Sequence, residues 1–255
     1  GNHIEIVKIL LKRKDLRVNQ VMHDGATTLF MTSQLGHVEV VHLLLSKNDI
    51  DINKATYGGA TALIIASEKC HVEIVRLLLS KSDIDINKAE KNGGTALFIA
   101  SQYNHVEVVE LLLSKSDIDI NKVKNDGATA LYIASQKAHV GVVKLLISKS
   151  DIDLSKGVPG WTPLKIANSQ GHTQIVKLLQ LKLREQEISH HDPSKSRPEV
   201  QQGESKTSST KKKYIMGSLL KASREGDALQ VNKLLNMMNG VDVNEKDING
   251  WTPLM

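Results

Sequence analysis

The chain has 255 residues, 40% of them apolar and 24% charged, close to an ordinary soluble globular protein, and no apolar run is long enough for a membrane helix. Aromatic residues amount to 3%, so any core is aliphatic, and the lone cysteine, Cys70, excludes an internal disulfide and a multi-cysteine zinc site. A net charge of +5 with so few aromatics argues against a nucleic-acid binder.

The chain opens on Gly1-Asn2-His3-Ile4-Glu5, with neither an initiator Met nor a signal-peptide pattern, and reads as though cut from something longer. His3, His37, His71, His105 and His139 then recur every 34 residues, with His172 after 33. Gly25, Gly59, Gly93, Gly127 and Gly160 keep the same steps, and Asn19, Asn53, Asn87 and Asn121 follow the 34-residue period. Half a unit and then five full ones occupy residues 1–187.

Each unit predicts two short helices and a loop. The first helix, from Thr61 to about Lys69 in the second unit, carries Leu63, Ile64, Ile65 and Ala66, with Thr61 as its N-cap. The second begins at the histidine. Its polar residues Glu73, Arg76 and Ser80 fall on one stripe, and the remainder is apolar. The loop alternates as Asp83-Ile84-Asp85-Ile86-Asn87, a period of two that predicts an extended, half-buried arm, and Gly93 marks the following turn. A helix pair that is apolar on both sides cannot bury itself alone, so neighbouring units must stack into a solenoid.

These units resemble ankyrin repeats. Gly160-Trp161-Thr162-Pro163-Leu164-Lys165-Ile166-Ala167 followed by Gly171-His172 carries the likeness, as does Asp85-Ile86-Asn87 in the loop. The resemblance implies a mainly α fold, an ankyrin-repeat solenoid of stacked helix-turn-helix units with projecting β-hairpin-like loops. There are departures. Phe30, Ile64, Phe98, Tyr132 and Lys165 stand where the family has His, so apolar contacts are expected to replace its hydrogen bonds. The residue that stretches 33 to 34 falls in the Ser-Lys-Ser-Asp-Ile segment, where the usual helix-ending glycine is missing.

Residues 188–213, rich in Ser, Thr, Lys and Pro, read as a disordered polar and basic linker. From Ser189 to Lys213 the net charge is +3, so most of the chain's basic character is local. Residues 214–255 read as the start of a second array: Ser218-Leu219-Leu220 opens a capping-like unit, and Gly250-Trp251-Thr252-Pro253-Leu254 begins another.

The sequence carries no recognisable catalytic or metal-binding pattern. Stacked helices lie about 8–10 Å apart, too far for successive histidines to share an ion, so the histidines read as scaffold. Counted from Asp49, Asp83 or Asp117, the Asp-x-Asp-x-Asn runs lack the glycine and glutamate a calcium loop needs. No phosphate loop or nucleophile elbow occurs, and Cys70 beside His71 lacks the third group of a nucleophilic pair. The sequence therefore predicts a non-enzymatic chain without cofactor or metal.

Surface remains. Positions that differ between copies are free for recognition: the hairpin tips, such as Met22-His23-Asp24 and Glu90-Lys91-Asn92, and the first-helix ends Gln34-Leu35, Glu68-Lys69, Gln102-Tyr103, Gln136-Lys137 and Ser169-Gln170. Both sets are expected along one concave side, where the resemblance places partners. The candidate partner-binding residues are His23, Tyr57, Lys69, Lys91, Tyr103, Lys124 and Lys137, with Tyr57 and Tyr103 as anchors. The expected function is a protein-protein interaction scaffold for a protein partner, without nucleic acid or membrane insertion, monomeric and cytoplasmic. Lys211-Lys212-Lys213 leaves a nuclear location open. The alternative is a regulatory segment whose kinase, channel or adaptor effector domain lies elsewhere. The resemblance also nominates Asn53, Asn87, Asn121 and Asn244 for hydroxylation.

Overall fold

The computed structural model describes residues 4–190 apart from residue 14. Contacts divide the chain into Gly1–Asp192 and Pro193–Met255, and all described residues belong to the first unit. Most of the expected linker, the segment 214–255 and Asn244 lie outside the described residues.

The first helices are α2 (Thr28–Gln34), α4 (Ala62–Glu68), α6 (Ala96–Gln102), α8 (Ala130–Gln136) and α10 (Pro163–Ser169). The second helices are α1 (Ile4–Leu11), α3 (Val38–Leu45), α5 (Val72–Leu79), α7 (Val106–Leu113), α9 (Val140–Ile147) and α11 (Thr173–His190). Each first helix packs on the next first helix and each second helix on the next second helix, so two layers run side by side through the stack.

Every first helix starts the same way. The hydroxyls of Thr27, Thr61, Thr95, Thr129 and Thr162 accept hydrogen bonds from the amides of Phe30, Ile64, Phe98, Tyr132 and Lys165, satisfying a donor that the first turn leaves open. The ends also repeat. Gly36, Cys70, Asn104, Ala138 and Gly171 all have φ between 58° and 75°, and the following histidine amide bonds back five residues, as His71 does to the Ala66 carbonyl. This is a Schellman end, which explains why small residues or Asn precede each histidine.

Second helices end differently. Ser46, Ser80, Ser114 and Ser148 stay in the right-handed region, and their hydroxyls donate to the carbonyls of Leu43, Leu77, Leu111 and Leu145. The serine occupies an orphan carbonyl that a glycine-dependent turn would otherwise satisfy. The chain then proceeds through successive turns, with the Lys81 amide on Leu78 and the Ile84 amide on Lys81. This corrects the expected extended arm. The alternation survives only as burial: Ile86 is buried, Ile84 half-buried, and Asp83 and Asp85 exposed. Among the described residues the projecting loops contain isolated bridges, Val21 with Thr27 and Ala89 with Thr95, and no named strand.

The main core runs the length of the stack, through Leu63, Ile74, Leu78, Leu97, Leu112, Leu131 and Leu146. A second cluster beneath the hairpins joins Phe98, Ala128, Tyr132, Ile133 and Ile166. Phe30, Ile64, Phe98 and Tyr132 are all buried, so apolar packing does replace the family's histidine contacts in those copies. The last copy differs. Lys165, Asn168 and Gln180 are exposed at positions that hold Phe98, Ser101 and Leu113 inside the stack. The last helix also continues to His190, three residues beyond the expected end of the array. Leu183 packs against the core and the Gln186 amide donates to the Ile152 carbonyl at 2.9 Å, which ties down the turns before that extension.

Candidate interaction surface

Copies are bolted together by bonds that do not vary. The His71 ring nitrogen lies 3.1 Å from the Gln34 carbonyl, and His105, His139 and His172 make the same contact with Glu68, Gln102 and Gln136. Each of these histidines thus closes an open carbonyl at the end of the preceding first helix, which is a structural task and leaves the ring engaged. The asparagines form a second line of bolts. Asn53 Nδ2 donates to the Asp83 carbonyl at 2.6 Å and its Oδ1 accepts from the Asp85 amide at 2.8 Å. Asn19, Asn87 and Asn121 repeat the pattern. Asn53, Asn87 and Asn121, the hydroxylation candidates, are therefore half-buried with both amide atoms committed to the next loop.

The hairpins are bolted too. The amides of Tyr57, Lys91 and Asn125 donate to the carbonyls of Asp24, Gly58 and Asn92 in the preceding hairpin. Such close stacking explains the turn glycines. Gly59 and Gly93 have φ near +90°, and a Cβ on Gly93 would lie 2.8 Å from the Lys124 Cα. Glycine is required twice over, by the dihedral and by the neighbour.

Against this fixed frame the candidate residues occupy two rows. His23, Tyr57, Lys91 and Lys124 stand at hairpin tips; Lys69, Tyr103 and Lys137 are the C-cap residues of α4, α6 and α8. All are exposed except Lys124, which is half-buried. Its ammonium lies 5.1 Å from the Phe98 ring centre and 3.5 Å from Asp126 Oδ2, so it is spent within the hairpin row. Tyr57 is 63% exposed and Tyr103 50%, which leaves both rings available. The Tyr103 ring stacks on His105 with centres 6.0 Å apart and planes 19° apart, and His105 is itself fixed to the Glu68 carbonyl. Lys69 donates to Glu68 at 2.9 Å, a bond that raises the lysine's pKa above its ordinary value. Lys137 has no ion pair among the described residues. Leu35, 59% exposed, caps α2 at the same position; comparing the helix ends copy by copy picks it out, although residue type alone does not.

A family model for ankyrin repeats, written as three copies, matches residues 1–90, 50–124, 82–156 and 118–192, which together span three quarters of the chain. The chain belongs to the ankyrin-repeat family. Among solved structures, the crystal structure of EF0377, an ankyrin repeat protein, is similar at 28% identity and a TM-score of 0.65, covering 70% of this chain and 92% of that one. No curated protein matches the sequence. Ankyrin repeats are generally protein-interaction modules and generally not catalysts. Among the described residues, no group of three or more His, Cys, Asp or Glu could hold a metal, and no helix is long and apolar enough to cross a membrane.

Proposed function

We propose that this ankyrin-repeat chain is a non-catalytic scaffold that holds a protein partner against its first-helix layer, between the hairpin tips and the helix ends. One observation carries the reading. The histidine and asparagine bonds that join successive copies repeat, whereas the exposed side chains at matched positions vary: Leu35, Lys69, Tyr103 and Lys137 at the helix ends, and His23, Tyr57 and Lys91 at the tips. Uniform bolts make a rigid frame, and a rigid frame lets a partner bind without first ordering the surface. Exposed tyrosines on such a frame supply contact area at low entropy cost.

The test changes Tyr57, Lys91, Tyr103 and Lys137 together to Ala and compares partner capture from cell extract with that of the original chain. Loss of the two exposed tyrosine anchors lowers recovery by at least about tenfold. Unchanged recovery at an unchanged melting temperature overturns the assignment of this surface.

A further inference from the structure

The ends of the first helices form a ruled scale. Leu35, Lys69, Tyr103, Lys137 and Gln170 are the C-cap residues of α2, α4, α6, α8 and α10, so the same structural position is read out once per copy. Over the first four positions the chemistry alternates, apolar, cationic, aromatic, cationic, and the line ends on the Gln170 amide, which is engaged with His172. Packed helices stand about 8–10 Å apart, and an extended peptide advances about 3.3 Å per residue, so one step of the scale equals about three residues of an extended partner.

We propose that this ridge recognises an extended acidic-apolar protein segment in which apolar and carboxylate residues alternate every third position: apolar, x, x, Asp or Glu, x, x, apolar, x, x, Asp or Glu. The inference rests on the reading of the first-helix layer as the binding surface. Tyr103 is its fixed centre, because its ring is already stacked on His105, and His105 is held by the Glu68 carbonyl. Leu35 offers a second apolar contact two copies away. Lys137, without an ion pair among the described residues, is the stronger of the two cationic positions, since Lys69 already shares its charge with Glu68. A polyphosphate chain fits less well. Only two of the four positions are cationic, Lys69 already shares its charge with Glu68, and Leu35 and Tyr103 offer a phosphate no counter-charge, whereas a segment with carboxylates only opposite the lysines meets a suitable group at each position.

The experiment is a selection of displayed random 12-residue peptides on the full chain, followed by affinity measurement of the winners by fluorescence anisotropy. The expected result is enrichment of acidic residues three positions from an apolar one, in either chain direction. Tyr103→Ala and Lys137→Glu should each weaken binding by at least about tenfold. Adding salt should weaken the original complex and have less effect on the Lys137→Glu complex. Melting curves of both variants, which alter only exposed side chains, should overlay that of the original chain. Peptides that depend on Tyr103 but lack the three-residue acidic spacing would overturn the proposed partner chemistry while leaving the binding surface standing. Peptides indifferent to Tyr103, Leu35→Ala and Lys137→Glu alike would overturn both. Tighter Tyr103-dependent binding of a single-stranded oligonucleotide than of any selected peptide would overturn the partner class.

Discussion

Ser33, Ser67, Ser101 and Ser135 sit at one position of successive first helices, fully buried, and their hydroxyls have no hydrogen-bond partner. A buried hydroxyl without a partner costs about 1–3 kcal/mol, and Ala is the better helix former by about 0.5 kcal/mol. Replacing Ser67 and Ser101 by Ala should therefore raise stability by roughly 1 kcal/mol each, read from urea midpoints at constant slope. A fall of that size would mean the hydroxyls do something the geometry does not show. Backbone strain at the helix ends gives a prediction of the same kind. Cys70 and Ala138 hold φ near 60°, where Gly36 and Gly171 hold similar values without a side chain to strain. A left-handed residue costs about 1–2 kcal/mol, partly offset by the entropy of a new glycine. Cys70→Gly or Ala138→Gly should gain about 0.5–1 kcal/mol. Equal or lower denaturant midpoints for both would exclude this account.

The hairpin turns depend on neighbours as well as on dihedrals. Gly93 and Gly160 share a positive φ, but a Cβ at Gly93 would strike the Lys124 backbone whereas at Gly160 it meets nothing within 4 Å. Gly160→Ala should cost about 1–2 kcal/mol, and Gly93→Ala clearly more, because the hairpins must part. Thermal melts of the two variants compare them directly, and equal losses would rule out hairpin contact as the cause. Helices were legible in the sequence because their signals are local: a threonine cap, an apolar stripe, a histidine one helix later. The loop was not. Its alternating Asp and Ile look like a strand, but a strand needs a partner along its edge. Here the backbone amides of Asp51, Asp85 and Asp119 bond asparagine side chains one copy back instead. The surface was half legible. Variation between copies singled out Tyr103 and Lys137, which are exposed, while the engagement of Lys124 with Phe98 and Asp126 needed coordinates. The last helix runs three residues past the expected end at 187, beyond the turns that Leu183 and Gln186 tie to the stack.

Across the whole stack, stability belongs to interfaces between copies as much as to the copies themselves. Asn87 bonds the loop 34 residues on through the same two atoms that Asn53 and Asn121 use. Removing residues 88–121 brings Asn87 up to Lys122 and restores an equivalent partner for the severed asparagine and histidine bonds. That shortened chain should unfold in one cooperative step at a lower temperature. Removing only residues 88–104 leaves a second helix without its first, and the cooperative transition should be lost. Circular dichroism melts distinguish the two, and identical behaviour would contradict the interchangeability of copies.

Interchangeability stops at one border. Lys165, Asn168 and Gln180 put polar groups where every earlier full copy presents Phe, Ile or Tyr, then Ser, then Leu or Ile. An interior copy duplicated in place meets matching faces above and below; the same copy appended after the last would meet charge and amide where it needs oil. Lineages of such a gene can therefore lengthen the ridge by tandem duplication within it, gaining one reading position at a time, while the border travels unchanged at the end.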